Sequence, residues 1–133
     1  MNEKREKKSY IFIKLWGPVI LWCLLIFSLS NQQDLTVDIE NEFLLRKFAH
    51  VTEYAVLTFL LFRALYKWPR ERIVSPMRLK IISISFSIGF ALVFAMSDEF
   101  HQIFIQGRNG NPYDVMIDSI GMMLVGLILI KRE

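Results

Sequence analysis

The sequence Ser97-Asp98-Glu99-Phe100-His101-Gln102 ends an apolar run that begins near Ile81. It therefore places three ionisable side chains against a segment long enough to cross a membrane. A charged residue at bilayer depth costs roughly 2.5–3.5 kcal/mol on insertion scales, so such residues usually pair, face a bundle interior or line a wet cavity. We interpret this stretch as part of a polar site in a small membrane protein.

The composition of the chain agrees with this interpretation. Of its 133 residues, 53% are hydrophobic, and the apolar residues form long blocks. The formal net charge of +3 comes from basic residues beside those blocks, a pattern typical of membrane topology and not of nucleic-acid binding. Cys23 is the single cysteine, so no intramolecular disulfide can form.

Four segments approach the roughly 20 apolar residues that a membrane span needs. They cover about 10–29, 48–65, 79–104 and 113–130. Basic Lys7 and Lys8 precede the first segment, but its apolar core is longer than that of a signal peptide and no small-residue cleavage site follows, which favours a retained anchor. The sequence predicts an all-α fold, a small four-helix transmembrane bundle in a single domain over 1–133.

The distribution of charge predicts the orientation of this bundle. Most of the 16 basic residues lie in or beside the N-terminal tail, the 66–80 connector and the C-terminus, whereas the 30–47 connector is acidic. Because Lys and Arg accumulate in cytoplasmic loops, we expect both termini in the cytoplasm of a bacterial cell and the acidic connector outside.

Polar side chains recur at the outer ends of spans two and three. His50, Glu53 and Tyr54 follow a spacing of i, i+3 and i+4, which places them on one helical face. Asp98, His101 and Gln102 have the same spacing at the end of span three. The His50 triplet alone is also compatible with hydrogen bonds to neighbours at a wet interface, whereas the adjacent like charges of Asp98 and Glu99 are not explained in that way.

Span four and the preceding loop add three further polar residues at the same depth. Asp114 either caps span four or belongs to the site, whereas Asp118 lies one turn deeper, where capping does not explain it. Arg108 lies in the loop between spans three and four. The glycines Gly121, Gly126 and Gly89 are expected to allow close helix packing.

These residues define a limited chemistry. No metal motif, nucleophile elbow or phosphate-binding glycine loop is present, so we expect neither a metal nor a cofactor. A histidine beside a carboxylate can serve as a general base. The catalytic candidates are His50, Glu53, Asp98, Glu99 and His101. The ligand-binding candidates are Tyr54, Gln102, Arg108, Asp114 and Asp118.

With these motifs identified, the chain resembles the VanZ-like family of bacterial membrane proteins, whose founding member is linked to teicoplanin resistance. The resemblance spans nearly the whole chain. It rests on an SxS-like end of span one at 28–30, an HxxxY segment at 50–54, a DExHQ segment at 98–102, Gly107-Arg108 and Asp114-Val115. The family commonly has Asn at the position of Asp118, so this chain carries an added negative charge there.

The resemblance implies a four-span envelope protein with an effect on lipoglycopeptide sensitivity, but no reaction. One hypothesis is an outward polar site that binds or modifies a lipid-linked or cell-wall-related anionic group, with membrane lipids as further partners. The alternative is a non-enzymatic binding or assembly module whose polar cluster is structural. Ion transport is less compatible with the pattern, because the intramembrane acids gather at one end.

Overall fold

The fold was analysed in a computed structural model, which describes residues 2–32, 42–68, 74–106, 108 and 110–132. Its four helices are α1 (Asn2–Ser30), α2 (Glu42–Lys67), α3 (Pro76–Gln102) and α4 (Pro112–Lys131), and the described residues contain no strand. Each helix is long and apolar enough to cross a membrane. The prediction of a four-helix transmembrane bundle is confirmed.

Side-chain contacts show that consecutive helices run antiparallel. At one end of the bundle, Gln102 of α3 donates a hydrogen bond to Ser30 of α1. At the other end, Arg63 of α2 donates to the carbonyl of Lys14 in α1. We call the first the polar end and the second the basic end. Helices α2, α3 and α4 pack on one another, while α1 packs mainly against α2.

The contact between Arg63 and Lys14 compensates for a proline in α1. Pro18 lacks the backbone N–H that would bond to the carbonyl of Lys14 four residues earlier. A backbone group left without a partner at membrane depth costs several kcal/mol, so another donor must take its place. Arg63 Nη2 lies 2.9 Å from that carbonyl oxygen. Arg63 of α2 therefore supplies the hydrogen bond that Pro18 of α1 cannot donate.

Helix α3 packs through a seam of small residues. The residues Ser83, Ser87, Ala91 and Ala95 recur every fourth position and are all buried. Small side chains let helix backbones approach closely in lipid, where apolar surface alone gives little association. The opposite face carries large exposed apolar residues such as Phe86 and Val93, as expected of a lipid-facing surface. The helix begins at the N-cap Ser75.

The glycines differ in their use. A Cβ on Gly121 of α4 would collide with the backbone oxygen of Val51 in α2, and one on Gly126 would lie 3.0 Å from Ile88 Cδ1 in α3. By contrast, no atom lies within 4 Å of the Cβ position at Gly89. The expected packing role is therefore met at Gly121 and Gly126 and is wrong for Gly89, which lies on the exposed face of α3.

Some parts of the predicted organisation lie outside the described residues. These are the acidic connector over 33–41, with Asp34, Asp38 and Glu40, the middle of the basic connector over 69–73, and Gly107 and Asn109 in the loop between α3 and α4.

Candidate functional site

Ionisable side chains from three helices converge at the polar end. His50 Nδ1 of α2 lies 3.9 Å from Glu53 Oε2 on its own helix and 3.9 Å from Asp118 Oδ1 of α4. Asp118 is 1% exposed. It is also within electrostatic range of Asp98 and Glu99 of α3. These side chains, which the sequence places at one membrane depth, therefore lie in one cluster in the structure.

We call this set the acidic cluster. Its members are His50, Glu53, Tyr54, Asp98, Glu99, Asp114 and Asp118. Tyr54 is completely buried among them and lies within electrostatic range of Asp98, Asp118 and Glu53. The close approach of α4 to α2 at Gly121, one turn beyond Asp118, brings the two helices together at this level.

Gln102 links the cluster to α1. Its Nε2 donates to Asp98 Oδ2 and to Ser30 Oγ, each at 3.0 Å, and all three side chains are buried. Trp22 of α1 adds a second link, because its Nε1 donates to the backbone oxygen of Glu53 at 2.9 Å. The bond from Gln102 to Ser30 connects α1 to α3, and the bond from Trp22 to Glu53 connects α1 to α2.

Glu99 points towards the start of α4. Its Oε2 accepts a hydrogen bond of 2.8 Å from the backbone N–H of Asn111. This contact depends on Gly110, where a Cβ would collide with the backbone oxygen of Glu99 and with Ile103. The loop before α4 therefore lies directly against the end of α3.

The structure separates two roles that sequence had left open for Asp114. The N-cap of α4 is Asn111, whose Oδ1 accepts from the N–H of Tyr113 at 3.1 Å, with Pro112 at the first helical position. Asp114 lies in the first turn and forms an ion pair with Lys47 of α2. The interpretation of Asp114 as the cap is wrong, although its charge still favours the helix dipole there.

Arg108 lies over the polar end as expected, but its hydrogen bonds go to backbone. Its Nε donates to the oxygen of Gln32 at 3.1 Å and its Nη2 to that of Leu29 at 3.4 Å. Helix α1 has no basic residue in its last turn, so Arg108 supplies the positive charge that a helix C-terminus favours. It also remains within electrostatic range of His50 and Glu53.

His101 lies apart from the cluster. Its ring packs on Phe27 of α1, with 4.8 Å between the ring centroids. Among the described residues, no carboxylate lies within ion-pair distance of it. Although the spacing places His101 and Asp98 on one helical face, they form no ion pair, and the hydrogen bond to Asp98 comes from Gln102 instead.

The cluster contains more hydrogen-bond acceptors than donors. Within the described part of the chain, five of its buried atoms have no hydrogen-bond partner: His50 Nδ1, Tyr54 Oη, Asp98 Oδ1 and both carboxylate oxygens of Asp118. Such atoms are uncommon in folded proteins and call for an explanation. Over the same residues, no group of three His, Cys, Asp or Glu side chains is arranged to hold a metal ion.

Three contributors were not recognised as site residues from the sequence. Lys47 precedes His50 by three residues and so shares its helical face, and this spacing is the signal that could have placed it beside the cluster. Ser30 ends the SxS-like segment at 28–30, but the local sequence does not pair it with Gln102, and Trp22 belongs to no motif of α1.

Comparison with known proteins gives one family. A family model described as VanZ/LLP1 matches residues 7–132, nearly the whole chain. No curated protein and no solved structure shows significant similarity to the chain. The match covers α1 from Lys7 onwards, the whole of the other three helices and every residue of the acidic cluster. The chain belongs to the VanZ-like family of membrane proteins.

Proposed function

We propose that the acidic cluster binds the head group of a lipid-linked, cell-wall-related molecule, and that the protein alters teicoplanin sensitivity through this binding. The observation that carries the proposal is the set of buried acceptor atoms that receive no hydrogen bond from the described residues, above all the two oxygens of Asp118. A buried acceptor left unpaired costs about 1–3 kcal/mol, and more when it is charged. A ligand that donates hydroxyl or ammonium groups would remove that cost.

The charges around the cluster support a head group with two chemical parts. Lys47 and Arg108 place positive charge at its margin, where an anionic phosphate would be favoured. The interior carries the unpaired oxygens of Asp118 and Asp98, which suit hydroxyl or ammonium donors. A sugar joined to a membrane lipid through a phosphate or diphosphate combines both parts.

The proposal also concerns the orientation of the bundle in the membrane and the residue that would act if the bound ligand is modified. With basic residues at both termini and along the 66–80 connector, the polar end would face outwards, where cell-wall precursors are used. His50, 3.9 Å from two carboxylates, is the side chain best placed to act as a general base if the ligand is also modified.

A binding experiment tests the proposal directly. Full-length protein in detergent is titrated with a polyprenyl-diphosphate-linked disaccharide, and complexes are counted by native mass spectrometry. Polyprenyl diphosphate without the sugar serves as the truncated probe. We expect the sugar-bearing lipid to bind more tightly, and Asp118→Asn to weaken it by at least about tenfold, because hydrogen bonds to charged groups contribute about 1.5–3 kcal/mol.

Ser97→Ala is the matched control for this titration. Ser97 is exposed beside Asp98, and its one hydrogen bond within the described residues goes to the Phe94 carbonyl of its own helix. We expect this variant to bind like the original protein. Equal binding of both probes, or no effect of Asp118→Asn, would contradict the proposal.

A second candidate function is a structural module in which the cluster only fixes the bundle. The links from Gln102 to Ser30 and from Lys47 to Asp114 favour it, because they join α3 to α1 and α2 to α4. Expression of Asp118→Asn in a teicoplanin-susceptibility assay, with membrane abundance measured in parallel, separates the two. Loss of the effect at normal abundance supports binding, whereas a parallel loss of protein supports the structural role.

A further inference from the structure

A groove that could bind a ligand lies at the basic end, away from the acidic cluster. A groove with a volume of about 720 Å³ opens among α2, α3 and α4. Along α2, Lys67 at this groove is fourteen residues from Glu53 in the cluster, which corresponds to about 21 Å of helix. The groove is therefore separate from the site proposed above and does not depend on it.

The rim of the groove is basic. It carries Arg63, Lys67, Lys80 and Arg132, and none of the described residues that line the groove is acidic. Lys80 Nζ donates to the backbone oxygens of Arg132 and Ile130, which places its charge at the C-terminus of α4. Within the described part of the chain, none of the four forms an ion pair with a carboxylate. Four cations thus share one opening, and the described residues supply no carboxylate to balance them.

The walls of the groove are apolar. Phe62 and Tyr66 stack on α2 with 5.2 Å between ring centroids, and Phe59, Met77 and Leu129 line the remainder. Phe59 is 43% exposed and Met77 is 59% exposed. A slot of this kind, between membrane helices, offers a continuous surface to hydrocarbon.

We propose that this groove binds an anionic phospholipid, with the phosphate against the basic rim and an acyl chain along the apolar wall. Basic pockets between membrane helices suit anionic head groups, and each Lys or Arg near the surface adds to the attraction. A free phosphate leaves the aromatic wall unused. A zwitterionic lipid leaves the rim without a counter-charge.

The test uses full-length protein in detergent, titrated with phosphatidylglycerol and with phosphatidylcholine of the same acyl chains, and read by native mass spectrometry. The groove variant combines Lys67→Gln and Arg132→Gln, two exposed rim positions. The matched control combines Arg78→Gln and Lys131→Gln, which removes two exposed charges from the same end outside the groove. Glycerol 3-phosphate is the probe without chains.

We expect phosphatidylglycerol to bind in preference to phosphatidylcholine. Each basic residue contributes about a factor of five, so the groove variant should bind it about 25-fold more weakly, and the control pair should bind it as the original protein does. Met77→Trp, which fills the groove from its exposed rim, should also weaken binding without removing a charge.

Four results would overturn this assignment. They are equal binding of the two lipids, equal losses in the groove and control variants, unchanged binding by Met77→Trp in folded protein, and displacement of phosphatidylglycerol by glycerol 3-phosphate at equal concentration. The last result would show that the phosphate alone is recognised.

Discussion

Replacing Gly121 by alanine tests how the acidic cluster is assembled. Gly121 lies on α4 against the backbone of α2, and an added Cβ would collide with the Val51 oxygen and lie 3.2 Å from the Ala55 Cβ. A backbone oxygen cannot rotate away, so the two helices must separate by roughly 1 Å to restore a normal contact. This separation occurs one turn from Asp118.

The size of the effect follows from comparison with Gly89→Ala. Both substitutions replace a helical glycine, so both gain about 0.5–1 kcal/mol of backbone stabilisation. Only the change at Gly121 overfills a packed interface, since nothing lies within 4 Å of the Cβ position at Gly89. Overpacking costs about 1–3 kcal/mol, and we expect the two variants to differ by that amount.

The assay is thermal unfolding in detergent, followed by tryptophan fluorescence, for both glycine variants. Gly121→Ala should unfold at a temperature several degrees below that of Gly89→Ala. It should also weaken ligand binding, because the 3.9 Å between His50 Nδ1 and Asp118 Oδ1 would increase. Equal stability of the two variants would show that α2 and α4 do not approach closely at Gly121.

Three further predictions concern the polar end. Gly110→Ala should destabilise the protein by about 1–3 kcal/mol in thermal unfolding, because the new Cβ would collide with the backbone of α3; an unchanged unfolding temperature would contradict that contact. Gln102→Leu should cost about 1–3 kcal/mol in the same assay, since its two hydrogen bonds to α1 and α3 would be lost; a neutral result would show that these bonds do not hold α1. In a Cys23→Ser background, a membrane-impermeant maleimide should label a cysteine at Asn109 in intact cells and spare one at Arg72, and the reverse pattern would refute the proposed orientation.

The fold could be predicted from sequence because span length and apolar content depend on the bilayer more than on neighbouring helices. The residues at which the helices begin could not be predicted in the same way. Helix α1 begins at Asn2, before the apolar run that starts near Tyr10, and α2 begins at Glu42, before the predicted start at Phe48. Hydropathy indicates which residues lie in the membrane. A helix can extend beyond them through polar residues, because its backbone hydrogen bonds do not depend on apolar side chains.

The convergence of the cluster was predictable from topology, but the contacts within it were not. Consecutive helical residues lie about 100° apart, so Glu99 and His101 point about 160° away from each other. Asp98 lies between them, Glu99 faces α4 and His101 faces α1. Spacing shows that Asp98 and His101 lie on one broad face, but not which neighbour each contacts.

The role of Lys47 illustrates the same limit. Its pairing with Asp114 joins residues that are 67 positions apart in the chain, and no local pattern specifies such a pair. The bond between Arg63 and the Lys14 carbonyl is similar. A proline in one helix and an arginine in another each have a local explanation, and only their relative placement shows that one compensates for the other.

The most direct test of the ligand-binding claim is the thermal stability of Asp118→Asn without ligand, measured beside its affinity for the sugar-bearing lipid. Both carboxylate oxygens of Asp118 are buried and receive no hydrogen bond from the described residues, so removing the charge should leave the unfolding temperature unchanged or raised while binding is lost. If the cluster is instead a structural network, breaking it should cost about 3–5 kcal/mol. A fall in stability of that size would contradict the account.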